Sequence, residues 1–97
     1  MARECSIVDG IMKYLNSLPY CVAEKVVGNS NQKGRADINA CYDGRCIRIE
    51  VKTADNGNKA SEIQKVNLMK WKNAGAAVCV AYSVDDVKKL IHWISEV

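Results

Sequence analysis

Asp43-Gly44, set between two apolar-rich runs, constrains this chain most, because Asp-Gly in that setting is the strongest short-range hairpin signal a sequence offers. A two-residue turn there pairs Tyr42 with Arg45. Counting back along the ladder then pairs Cys41 with Cys46, Asn39 with Arg48 and Asp37 with Glu50. Side chains alternate between faces along a strand, so Asp37, Glu50 and Lys52 fall together on one face. Ala36, Ile38, Ala40 and Tyr42 share the other face with Ile47, Ile49 and Val51. Directly opposed residues have Cβ atoms roughly 5 Å apart, and like charges placed so destabilise the pair. Two facing acids beside a lysine therefore point to an electrostatic purpose, most simply a divalent cation.

The rest of the chain supplies layers for that hairpin. Residues 3–17 read as a helix, with Val8, Ile11, Met12 and Leu15 as its apolar stripe, Ile7 flanking, and Pro19 ending it. Glu4 lies one turn before Val8, either as a favourable charge at the helix start or directed into a site. Tyr20 to Val27 reads as a strand, weakened by Ala23-Glu24-Lys25, and the polar, glycine-flanked stretch Gly28 to Gly34 as a loop. The hairpin strands are expected over 35–42 and 45–52, followed by a loop around Asp55-Asn56-Gly57-Asn58. A helix follows from Ser61 to about Ala74, stopped by Gly75. Ala76 to Tyr82 is a continuous apolar run, which predicts a strand buried on both faces. Ser83 caps a last helix whose stripe is Val87, Leu90, Ile91 and Ile94. The order is α-β-β-β-α-β-α, an α/β layered fold.

Composition narrows the classes of function. The 97 residues predict one domain over 1–97, 48% hydrophobic and 26% charged, and no run approaches the ~18 apolar residues of a membrane span. A net charge of +3 is compatible with a phosphate-rich partner without specifying one. Five cysteines, no CxxC pair and no signal-like start predict free thiols in a reducing, intracellular setting, with Cys41 and Cys46 near enough to join on oxidation. With His92 as the single histidine and no ligand spacing, a structural zinc site is not expected.

Gly34-x-x-Asp37, Ile49-Glu50-Val51-Lys52 and Ser61-Glu62-Ile63-Gln64, with Glu4 on the first helix, resemble the PD-(D/E)XK nuclease superfamily, and most closely its VRR-NUC (virus-type replication-repair nuclease) branch. Ala36 stands where that family often has proline, a position that shapes backbone rather than chemistry. The resemblance implies a restriction-endonuclease-like αβββαβ core, a mixed central sheet flanked by helices, with a C-terminal helix added. It also implies a Mg²⁺- or Mn²⁺-dependent DNA endonuclease, a resolvase-like homodimer acting on branched DNA such as a Holliday junction, and a phage or prophage origin. Asp37, Glu50 and the backbone carbonyl of Val51 would be the metal ligands, and Glu4 would reach the metal directly or through water. Lys52 and Gln64 would act on the attacking water or the phosphate.

Plainer readings stand beside these. Each acid alone is an ordinary solvated strand residue, and Lys52 an ordinary ion-pair partner. Ser61-x-x-Gln64 is also a capping box, and one amide group is expected to serve either the cap or the site. Lys33, Arg35, Arg48, Lys59 and Ser61 are the expected DNA contacts, with Arg45 and Lys65 nearby. Trp71, Trp93 and His92 read as core or interface residues. The rival function is a nucleic-acid-binding or assembly module on the same fold that does not cut.

Overall fold

The computed structural model describes residues 4–26, 36–53 and 61–96, with Glu4 described in its backbone only. Its elements are α1 (Glu4–Ser17), β1 (Cys21–Lys25), β2 (Ile38–Tyr42), β3 (Arg45–Val51), α2 (Glu62–Asn73), β4 (Ala77–Ala81) and α3 (Val84–Ser95). This is the expected order. The four strands form one mixed sheet in the order β1-β2-β3-β4. β2 runs antiparallel to β1 and β3, whereas β4 is parallel to β3 because α2 makes the crossover between them.

The hairpin forms in the register that the turn dictates. Tyr42 faces Arg45, Cys41 faces Cys46, and Asn39 faces Arg48. Asp43 and Gly44 both have positive φ, 47° and 83°, the left-handed pair that matches the twist of the flanking strands. The strands are shorter than expected at their far end. β2 begins at Ile38, and Asp37 sits in a bend just before it, so Asp37 and Glu50 are not ladder partners.

Ile38, Ala40, Ile47, Ile49 and Val51 turn to one face of the sheet and are buried there with Ile7, Ile11 and Leu15 of α1 and Val87, Ile91 and Ile94 of α3. Burying each large aliphatic side chain contributes about 1.5–3 kcal/mol, which makes this the main store of stability. The stripe on α1 is rotated from the expected one: Ile7, Ile11 and Leu15 are buried, and Val8 and Met12 lie half-buried at its rim. α1 and α3 meet at Gly10, where an added Cβ would lie 2.9 Å from Val84 Cγ2. Only a glycine allows that approach.

β1 and β4 also differ from expectation. β1 spans Cys21–Lys25, short of the range 20–27, and as an edge strand it buries only Ala23. β4 is the opposite edge and is not buried on both faces: Ala77 and Ala81 are buried, while Val78, Cys79 and Val80 are half-buried. An unbroken apolar run here reflects a parallel edge strand that meets α3 on its core face and a second helix on the other, its residues only partly covered. That helix, α2, packs on β4 and β3 from the other side of the sheet through Leu68, and among the described residues no helix covers the β1–β2 half of that face. Among the described residues no helix is long and apolar enough to cross a membrane.

Candidate active site

The open face meets α2 at the end of β3, and the candidate residues gather there. Glu50 comes from β3, points away from the core, and is nevertheless only 2% exposed. Its Oε2 accepts a hydrogen bond from Gln64 Nε2 at 2.7 Å and lies 3.4 Å from Lys52 Nζ. Its Oε1 is buried and has no hydrogen-bond partner among the described residues. Asp37 enters from the bend before β2, and its Oδ2 accepts from the Val51 backbone N–H at 2.7 Å. That contact replaces the ladder pairing and fixes the carboxylate at the mouth of the hairpin. On the far side of β3, the Lys52 N–H donates to the Ala81 carbonyl at 2.9 Å, which holds the lysine's backbone to β4.

The electrostatics follow from this crowding. Burial first, then the charge of Asp37 and its hydrogen bond to the protonated form, raise the Glu50 carboxyl from 4.5 to about 7 against the opposing pull of Lys52. A carboxylate that is desolvated, faces a second carboxylate and keeps one oxygen unpaired is costly unless a cation meets it.

Gln64 is where expectation and structure diverge most usefully. Ser61 Oγ accepts from the Gln64 N–H at 3.2 Å, and Gln64 Oε1 accepts from the Ser61 N–H at 2.8 Å, a complete capping box. The expected choice between cap and site does not arise. The amide oxygen closes the cap while the amide nitrogen reaches Glu50. The cap orients the side chain that the site uses.

Arg48 shares the acids' face as expected, but its guanidinium is committed within the fold. It lies 3.7 Å over the Trp71 ring and donates to the Ile47 carbonyl at 2.9 Å and to Cys46 Sγ at 3.1 Å. Arg48, Trp71, Asn39, Asn67 and Ala36 line a cavity of about 160 Å³ in the trough between α2 and the open sheet face. Asn39, Asn67 and Trp71 were not among the expected site residues. The signal was present: Asn67 and Trp71 follow Gln64 by three and seven residues, on one side of a helix.

Other basic residues divide differently. Arg45 lies by Trp93 of α3, 5.7 Å from the ring centroid, and so belongs to the opposite end of β3 from the acids. Lys65 pairs with Glu62 at 3.4 Å on the exposed side of α2. Trp93 is 52% exposed and is not a core residue, while His92 pairs with Glu96 on the surface. Lys33, Gly34, Arg35 and Lys59, and the side chain of Glu4, lie outside the described residues.

The donor set suits a hard divalent cation. Two carboxylates with an unpaired buried oxygen offer the oxygen ligands that Mg²⁺ and Mn²⁺ take, one or two acids being enough when water and phosphate complete the shell. Among the described residues no group of three or more His, Cys, Asp and Glu side chains is placed to hold a metal.

No protein-family model and no curated protein sequence matches the chain. Solved structures do. One described as "VRR_NUC domain" is 22% identical with a TM-score of 0.76, over 95% of this chain and 97% of that one. A second, "VRR_NUC domain protein", is 18% identical with a TM-score of 0.72, over 94% of this chain and 86% of that one. At such identities the likeness speaks for architecture, and the agreement spans nearly every described element. The chain has the fold of the VRR_NUC domains.

Proposed function

We propose that this chain is a divalent-metal-dependent DNA endonuclease whose centre is Asp37, Glu50, Lys52 and Gln64. One observation carries the reading: Glu50 is buried against Asp37 with Oε1 unpaired among the described residues, while Oε2 is held by Gln64 and faced by Lys52. The likeness to VRR_NUC domain structures supports it.

Asp37, Glu50 and the Val51 carbonyl would hold Mg²⁺ or Mn²⁺. Such an ion lowers the pKa of a bound water and offsets charge on a scissile phosphate. The chain's own residues do the positioning. Gln64 fixes Oε2 and so leaves Oε1 as the oxygen free for the ion among the described residues. The Val51 N–H fixes the Asp37 carboxylate. Lys52, 15% exposed in its side chain, keeps a cation at the edge of the trough, where it can neutralise phosphate or orient water. Glu4, Lys33, Arg35, Lys59, Arg48 and Ser61 belong to the proposal as auxiliary acid and DNA contacts. A homodimer cutting branched DNA is part of the same reading, because two sites related by a two-fold axis suit the paired scissile strands of a four-way junction.

Cleavage of a labelled four-way junction and its linear duplex, with Mn²⁺, Mg²⁺ or EDTA, tests this beside Lys52→Ala. Paired nicks on the junction, lost with EDTA and in the variant, are expected. Equal cutting of both DNAs would keep the nuclease and remove the junction preference. Salt-sensitive binding without cutting would replace the enzyme with a binding module.

A further inference from the structure

Cys41 and Cys46 face each other across the hairpin, and nothing in the proposed centre uses them. All five cysteines are free thiols, but these two differ from the rest. Because Asp43-Gly44 is a two-residue turn, Tyr42 and Arg45 form the hydrogen-bonded pair that closes it, and Cys41 and Cys46 form the next, non-hydrogen-bonded pair. In such a pair the Cα atoms are about 4.5 Å apart, inside the range a disulfide spans. Cβ atoms of opposed residues sit at about 4.5–5.5 Å, slightly beyond disulfide geometry, so closing the bond draws the strands together and leaves it readily reducible.

Access and surroundings agree. Both thiols line a cavity of about 390 Å³ on the sheet face that no described helix covers at this point, with Val22, Asn39 and Arg48. Cys41 is exposed, and Cys46 is half-buried with its sulfur held by Arg48 Nη1 at 3.1 Å. The others are elsewhere: Cys5 is on α1, and Cys21 and Cys79 pack against the core, where burial pushes both thiols up, Cys79 to about 11.

We infer that Cys41 and Cys46 are a redox-active dithiol that closes to a cross-strand disulfide under a peroxide oxidant. The exposed Cys41 sulfur attacks the peroxide O–O bond, becoming a sulfenic acid and releasing one water. The Cys46 sulfur then attacks Cys41, the S–S bond forms, and the hydroxyl leaves as a second water with the Cys46 proton. Two thiols are thereby oxidised by two electrons and one hydrogen peroxide is reduced to two waters. Closure draws Cys46 Sγ away from Arg48, which loses one of the contacts within β3 that hold its guanidinium over Trp71 of α2. The disulfide is independent of the nuclease reading.

The test is hydrogen peroxide treatment of the whole chain, followed by intact mass and a non-reducing peptide map. Expected is a monomer lighter by two hydrogens, ~2 Da, with one Cys41–Cys46 linked peptide. Dithiothreitol reverses it, Cys41→Ser abolishes it, and Cys5→Ser leaves it intact. Tryptophan emission should shift with oxidation in the native protein and not in Cys41→Ser. Links to Cys5 or Cys21, intermolecular bridges alone, or oxidation that stops at single-sulfur acids would overturn the assignment. A linked peptide with unchanged emission would refute the release of Arg48. Because the mass readout needs no DNA, it stands or falls apart from cleavage.

Discussion

Gln64 Nε2 donates to Glu50 Oε2 at 2.7 Å while the same amide's oxygen accepts the Ser61 N–H at 2.8 Å, so a helix cap and a buried carboxylate share one side chain. The two functions separate by substitution. Gln64→Glu keeps an acceptor for the Ser61 N–H and so keeps the capping box, but replaces the donor to Glu50 with a third acid. It should retain α2 and lose about 10²-fold in cleavage, because Glu50 is no longer held. Gln64→Ala keeps the residue-64 N–H on Ser61 Oγ but loses the reciprocal acceptor of the Ser61 N–H, and should cost about 0.5–1 kcal/mol of stability. Denaturant melts beside single-turnover cleavage distinguish the two. Equal activity of Gln64→Glu and native protein would reduce Gln64 to a cap.

Glu50 predicts a pH dependence of stability. Its folded-state value of about 7 exceeds the ordinary 4.5, so between those values the folded state binds more protons than the unfolded one. Its contribution to stability is whole below about 4.5 and is lost as pH rises through about 7. Without divalent cations, Glu50→Gln should therefore be more stable than the native protein at pH ~8, by up to about 3 kcal/mol. The difference should vanish toward pH ~4. Urea melts of both proteins across this range give the answer. A pH-independent difference would mean that Glu50 carries no raised pKa.

Arg48 and Trp71 form the link between β3 and α2. The guanidinium lies 3.7 Å over the ring, so Arg48→Ala, Trp71→Ala and the double variant should give a coupling energy of about 0.5–2 kcal/mol in thermal or urea melts. Strict additivity would show that the stacking holds nothing. Because Arg48 is occupied in this way, its removal should also disturb the trough, not only weaken DNA contacts.

What was legible in the sequence was what local rules determine. Asp43-Gly44 demanded a turn with two positive φ values, and alternation then placed Glu50 and Lys52 away from the core. Ser61 and Gln64 announced α2, and Ser83 announced α3. What escaped was long-range. No local pattern told that Asp37 leaves the ladder to accept the Val51 N–H, or that β4 is an edge strand, because each depends on contacts between residues far apart in sequence. The rotated stripe on α1 arises similarly, from Gly10 letting α3 come close. Arg48 read as a free cation because stacking on Trp71 joins two elements far apart in sequence.

Titration calorimetry of Mn²⁺ into the native protein, Asp37→Asn and Glu50→Gln at pH ~8, where Glu50 is ionised, bears most directly on the centre. The native protein should bind saturably, with proton release that grows as pH falls toward 7. Each variant should bind about 10²-fold more weakly or not at all. Binding that is unchanged in both variants, or absent from the native protein, would contradict a metal centre built on Asp37 and Glu50.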